Sequence, residues 1–187
     1  EEQTLADTLA DLPKQIDGIE EILVMVVDDG SSDNTIQSAI DHGVDYVVKN
    51  HRNRGLANTF STGIETALWL GADVIVNSDG DNQYQGSYIA DLVKPIVDKE
   101  SEIVIGARPI EEIDDFSIIK KLLQRFGSYV VSLFAGISVP DTTSGFRAYS
   151  RKAALSISVV STFTYTLETI IQAGRRRIPL TAVPIKT

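Results

Sequence analysis

Short β-branched runs alternate with longer stretches of helical period through the first half of the chain. Leu5, Leu9 and Leu12 recur at i, i+4 and i+7, which predicts an amphipathic helix ended by Pro13. Ile22 to Val27 is an almost unbroken apolar run that stops at Asp28-Asp29-Gly30, the pattern of a strand buried on both faces. Ser32 or Asp33 caps the next helix, which stops at Gly43. The same reading predicts strands over 45–48, 73–77 and 102–106, separated by helices over 56–70 and 87–98. Strands that alternate with helices imply parallel pairing and an α/β architecture.

After Arg108 the rhythm breaks. An acid-rich loop holding Glu111, Glu112, Asp114 and Asp115 precedes a predicted helix over 117–135. A strand over 144–149, helices over 152–155 and 166–173, and a final strand over 178–183 follow. With no internal repeat and no linker, residues 1–187 read as one domain. An open α/β sheet ordinarily starts with a strand, whereas this chain starts with a helix, so a first strand ahead of Glu1 is expected.

Composition narrows the chemistry. The chain has 187 residues, 43% of them hydrophobic and 23% charged, which describes a globular protein with a sizeable core. It has no cysteine, which removes disulfides, zinc–thiolate sites and thiol nucleophiles together. Its two histidines, His42 and His51, lie apart, against a histidine metal cluster. A net charge of −9 argues against nucleic acid as a partner and leaves room for anionic nucleotides only with a cation or local basic groups. No apolar run reaches the roughly 18 residues that cross a bilayer.

The candidate chemistry sits where predicted strands end. In open α/β sheets, ligands bind beyond the carboxyl ends of the strands. The run Ile22–Val27 delivers Asp28 and Asp29 to that edge, and the strand over 73–77 delivers Asp79-Gly80-Asp81. Two carboxylates at i and i+2 repel unless a cation is shared, and Mg²⁺ or Mn²⁺ suits their hard oxygens and a diphosphate alike. Gln83 can add an oxygen ligand. The bland alternative is a pair of acid-rich turns. Asp28 or Asp29 can accept from a base N–H or a ribose hydroxyl. Asn53-Arg54-Gly55 leads into a helix whose N-terminus can support phosphate or frame a base pocket, or can simply be a glycine-containing loop. Arg108, Lys120, Lys121, Arg125 and Arg147 concentrate positive charge in the second half, and an arginine fork suits phosphate oxygens. Arg175-Arg176-Arg177 reads as a surface triplet able to touch an anionic membrane.

Four ordered motifs join these residues: 26–33 (VVDDGSSD), 53–55 (NRG), 77–84 (NSDGDNQY) and 144–147 (SGFR). Together they resemble family-2 glycosyltransferases of the GT-A fold, and more narrowly the branch that loads sugars onto polyprenyl or dolichyl phosphates. That resemblance implies a mostly parallel central sheet flanked by helices, and it covers essentially the whole chain. It also implies that Glu1-Glu2 are the tail of the family's opening motif, whose strand lies ahead of Glu1. By the same resemblance Glu1 and Asp29 contact the nucleoside, while Asp79, Asp81 and Gln83 hold the metal and diphosphate. Arg108, Arg125 and Ser128 lie near the acceptor phosphate. The sequence departs from many relatives in reading Asp-Gly-Asp where they have Asp-Ala-Asp or Asp-Leu-Gln.

The catalytic-base motif of hydroxyl-acceptor relatives does not occur over 142–147. A hydroxyl acceptor needs deprotonation, whereas a lipid phosphate is already an anionic nucleophile. The expectation is therefore inverting transfer of a hexose from a UDP- or GDP-sugar to a polyprenyl or dolichyl phosphate, at the cytoplasmic face of a membrane or in the cytoplasm. The alternatives are a family-2 enzyme acting on a saccharide or protein hydroxyl, and a nucleotide-sugar-binding module without turnover. A phosphotransferase fits poorly, for want of an Asp-x-Asp-x-Thr or Walker-type loop.

Overall fold

A computed structural model describes residues 2–108 and 139–186. The elements are α1 (Leu5–Ala10), β1 (Met25–Asp28), α2 (Thr35–Asp41), β2 (Tyr46–Lys49), α3 (Leu56–Trp69), β3 (Val74–Asn77), α4 (Ile89–Val97) and β4 (Ile103–Ala107). β5 (Arg147–Ser150), α5 (Arg151–Ser156), α6 (Thr166–Arg176) and β6 (Leu180–Pro184) complete them, and a single 3₁₀ turn at Gly86–Tyr88 leads into α4. The helix expected over 117–135 lies outside the described residues. Among the described residues no helix is long and apolar enough to cross a membrane.

The strands form two hydrogen-bonded groups, β1–β2 and β3–β5–β4–β6. Parallel pairing holds for β1 with β2 and for β4 with β6, but β5 runs antiparallel to both β3 and β4. The expectation of a mostly parallel sheet is thus corrected to a mixed one. Parallel order was inferred from strand–helix alternation, and β5 enters after residue 108, where that alternation stops. The pairing also brings different ends together. Asn77, the last residue of β3, faces Arg147, the first of β5, and Ile105 faces the same Arg147. The carboxyl ends of β3 and β4 and the loop entering β5 therefore share one edge.

Period-two alternation builds a core on each face of the four-stranded sheet. Ile75, Ile103, Ile105 and Tyr149 face α3, α5 and α6, meeting Phe60, Ile64, Ala153 and Ile170. Val104 and Ala148 face the other way, toward Leu92, Val93 and Ile96 on α4. β1 is half-buried and not sealed on both faces as expected, and among the described residues only β2 pairs with it. Met25 on β1 packs against the core that α3 shares with the larger sheet, so this helix spans both groups.

Candidate functional site

The two acid-bearing loops belong to strands that do not pair with each other, so a third element must show whether they meet. Residues 2–8 do. The Glu2 carboxylate accepts from Asn34 Nδ2 at 2.9 Å and from Asn34 N at 3.3 Å, on the loop that leaves β1. Two residues later, the Thr4 hydroxyl donates to the Gly80 carbonyl at 3.0 Å, and the Thr8 hydroxyl shares its one proton between the Thr4 carbonyl at 3.0 Å and the same Gly80 oxygen at 3.2 Å. Two residues of chain reach at most about 7 Å. The loops after β1 and β3 therefore lie on the same end of the molecule. Asp11 reinforces the arrangement by accepting from Gly86 N.

Within the first loop the two acids part company. Asp28 is buried, and its carboxylate accepts from Gly30 N at 3.1 Å and Ser31 N at 3.2 Å, an Asx turn that shapes the loop. Asp29 reaches across to the second motif, accepting from Asn50 Nδ2 at 2.9 Å, Arg54 N at 2.9 Å and Gly55 N at 2.8 Å. Burial raises its pKa, but these hydrogen bonds outweigh burial and hold it below the ordinary carboxylate value. Gly30 lets the loops touch: a Cβ there would stand 2.7 Å from the Arg52 carbonyl carbon, and its φ of 84° already favours glycine. Two amides at the entrance to α3, which could have supported a phosphate or formed a plain glycine-containing loop, are thus occupied by Asp29. The Arg54 side chain is exposed.

Asp79 and Asp81 follow β3. A Cβ on Gly145 would lie 3.0 Å from Asp79 Oδ2 and 3.0 Å from the Tyr165 hydroxyl, so glycine is what lets the Asp79 carboxylate lie against this backbone. Asn77 Nδ2 fixes the same corner, donating to the Gly145 carbonyl at 2.9 Å and to the Tyr165 hydroxyl at 2.9 Å. Tyr165 stacks on Phe60 at 3.8 Å, and burial, the largest cause, pushes its phenol well above the ordinary value and keeps it protonated. Asp81 accepts from Gln83 N at 3.1 Å, through a turn in which Asn82 adopts a left-handed φ of 58°. Gln83 is exposed.

Arg108 leaves the end of β4 and is forked onto Asp141, Nε to Oδ2 at 2.8 Å and Nη2 to Oδ1 at 3.3 Å, with Thr143 Oγ1 a further acceptor at 3.1 Å. Asp141 is fully buried and also accepts from Thr143 N and Ser144 N, both at 3.1 Å. Burial opposes both charges. The ion pair prevails, depressing the Asp141 pKa and raising that of Arg108, to which the nearby Asp79 also contributes. The sequence motifs singled out above pass over Asp141. The clue lay in its position before a run of short polar residues, Thr142-Thr143-Ser144, which offer donors to one carboxylate. Tyr165 carried no such signal.

Arg147 requires a correction. Its guanidinium is wholly buried, donating to the carbonyls of Ser144 (2.7 Å), Thr166 (2.8 Å) and Thr142 (2.9 Å) and to Thr169 Oγ1 (2.8 Å). It also lies 5.9 Å from the Tyr165 ring centre. A fork with four of its five N–H groups engaged within the fold, and no exposed surface, braces the loop before β5 and is closed off from a substrate phosphate. Glu1, Arg125 and Ser128 lie outside the described residues.

A divalent ion fits this donor set in a specific way. Asp79 and Asp81 offer hard oxygens, yet among the described residues no group of three acids, histidines or cysteines converges on a point. An ion held by Asp79 and Asp81 would take its remaining ligands from phosphate and water, which is the habit of Mg²⁺ and of nucleotide-bound metals generally. Such an ion would neutralise charge on a leaving diphosphate.

Comparison with known proteins gives the family and the fold. An uncharacterized protein of Methanocaldococcus jannaschii is 34% identical over 193 residues, covering 100% of this chain and 77% of its own length. The UDP-N-acetylglucosamine–dolichyl-phosphate N-acetylglucosaminyltransferase of Methanococcus voltae is 29% identical, covering 88% of this chain and 74% of its own. Among solved structures, glucosyl-3-phosphoglycerate synthase from Mycobacterium tuberculosis with Mn²⁺, UDP and phosphoglyceric acid superposes with a TM-score of 0.77 at 17% identity, over 100% of this chain and 66% of that one. The shared architecture is the GT-A fold. The model of glycosyl transferase family 2 matches residues 1–157, and the chain belongs to that family.

Proposed function

We propose that this protein transfers a hexose, with inversion, from a UDP- or GDP-sugar to a polyprenyl or dolichyl phosphate. In this reaction a phosphate oxygen of the acceptor attacks the anomeric carbon while the bond to the donor's β-phosphate breaks, and the nucleoside diphosphate departs with the electron pair. Asp29 offers its carboxylate to the nucleoside. Asp79 and Asp81 would hold a Mg²⁺ or Mn²⁺ ion, which would supply charge screening for the diphosphate.

The observation that carries the acceptor class is the state of Asp141. It directly precedes residues 142–147, the stretch where the base motif of hydroxyl-acceptor relatives is expected, and it is buried, ionised and paired with Arg108. With its one buried acid already committed to Arg108, this corner is better suited to an acceptor that arrives already anionic. Relatives named as acting on dolichyl and undecaprenyl phosphates support the same class. A site of this kind works against the cytoplasmic face of a membrane.

The decisive experiment supplies labelled nucleotide-sugars with polyprenyl phosphate or free saccharides, with and without Mn²⁺. Label should move to the lipid phosphate only, and Asp81→Ala should abolish metal-dependent transfer. Wild-type transfer by Asp81→Ala sinks the site assignment, and label on saccharide alone sinks the acceptor class. A thermal-shift series with UDP, GDP, CDP and dTDP identifies the base.

A further inference from the structure

The loop between α5 and α6, residues 157–165, is tied down and yet presents apolar side chains to solvent. Glu168 on α6 accepts from Val160 N at 3.1 Å and Ser161 N at 2.9 Å. The Ser161 hydroxyl accepts from Phe163 N at 3.1 Å and Thr164 N at 3.4 Å, and Gln172 both accepts from Ser158 N and donates to Ser158 O. Held in that shape, Val160 is 82% exposed and Phe163 87%. Leu56, at the start of α3, is 53% exposed and belongs to the same rim, because the Thr162 carbonyl lies 3.5 Å from where a Cβ on Gly55 would be.

Single exposed apolar residues are ordinary, and Trp69 is one. It sits at the other end of α3 from Leu56, roughly 20 Å away at 1.5 Å per residue. What distinguishes the rim is its company. Arg175 and Arg176 line one shallow surface hollow with Ser161 and Thr164, and Arg177 follows them, in a chain whose net charge is −9. The acid in that hollow, Glu168, is engaged by loop amides.

We infer that this rim is where the protein rests on an anionic lipid surface, with Val160 and Phe163 entering the interface and Arg175 and Arg176 meeting headgroup phosphates. Apolar side chains beside a basic cluster are the combination that binds bilayers reversibly. The inference rests on the lipid-phosphate reading of the acceptor. The same loop touches the turn at Gly55 that Asp29 holds, so docking there sets the donor cradle at headgroup level, where an acceptor phosphate lies.

The chain contains no cysteine, so Phe163→Cys and Trp69→Cys each give a unique site for an environment-sensitive dye. Vesicles of phosphatidylcholine alone and with phosphatidylglycerol are the probes. Dye at position 163 should brighten and shift to the blue on the anionic vesicles while dye at 69 stays unchanged. Replacing Arg175 and Arg176 by Gln should weaken binding roughly fivefold per charge at low salt. The Val160→Ser, Phe163→Ser double variant should weaken binding about tenfold or more. It should keep its thermal response to nucleotide with Mn²⁺ and its turnover on a water-soluble, short-chain polyprenyl phosphate, but lose turnover on vesicle-embedded acceptor. No vesicle response at 163, an equal response at 69, or a response to protein concentration without lipid (a second copy covering the rim) overturns the surface. Docking through Phe163 without transfer to either acceptor would instead overturn the acceptor reading and leave the surface standing.

Discussion

Arg147 separates a structural arginine from a substrate-binding one, and Arg147→Met is the perturbation that tells them apart. Methionine keeps most of the apolar stem and removes every donor. The carbonyls of Ser144 and Thr142 and the Thr169 hydroxyl then lose their guanidinium partner in a region closed to water. The Thr166 carbonyl fares better, since the Thr169 hydroxyl also donates to it at 3.2 Å. Each unsatisfied buried acceptor costs about 1–3 kcal/mol. Relief from burying a cation offsets part of that sum, leaving a net loss of roughly 2–4 kcal/mol. For a domain of this size that lowers the melting temperature by about 4–16 °C. Thermal unfolding followed by circular dichroism reads it directly, and nucleotide affinity measured well below the transition should stay close to wild type. A variant that melts like the wild type but has lost transfer would refute the reasoning, because it would return Arg147 to the substrate.

Two further outcomes follow from the same corner. Gly145→Ala places a methyl 3.0 Å from Asp79 Oδ2 and the Tyr165 hydroxyl, so Mn²⁺-dependent nucleotide affinity should fall several-fold and stability by about 1–2 kcal/mol; an unchanged calorimetric titration would contradict the close approach. The Asp141 pKa is depressed by its partners, so its contribution to stability is complete above the ordinary carboxylate range and is lost as pH falls through the depressed value. The gap in melting temperature between wild type and Asp141→Asn should hold steady at neutral pH and close under acid, and a gap that persists into strong acid would count against the ion pair.

The apolar rhythm made the first half of the fold legible, because each strand–helix step there buries one face against its neighbour. The predicted helix over 56–70 and the strand over 73–77 match α3 and β3 to within a residue. The direction of β5 was not legible, since alternation within a strand says which face is buried and nothing about which way a neighbour runs. At the site, acids at strand ends were readable from where apolar runs stop. The division of labour between Asp28 and Asp29 was not, because it depends on loops 20 residues and more apart meeting across Gly30. Arg147 misled for a related reason: charge marks a residue as polar, but a buried arginine surrounded by carbonyls has the same one-letter signature as an exposed one.

The clasp that Thr4 and Thr8 place on a single peptide oxygen has a practical corollary. Fraying the opening helix, by deleting residues 2–8 or by fusing a bulky tag against it, removes both hydroxyls from the Gly80 carbonyl and frees a turn seventy residues downstream. Preparations trimmed in this way would lose metal-assisted donor capture while every acid in the pocket stayed in place, a defect that could easily be mistaken for damage to the pocket itself.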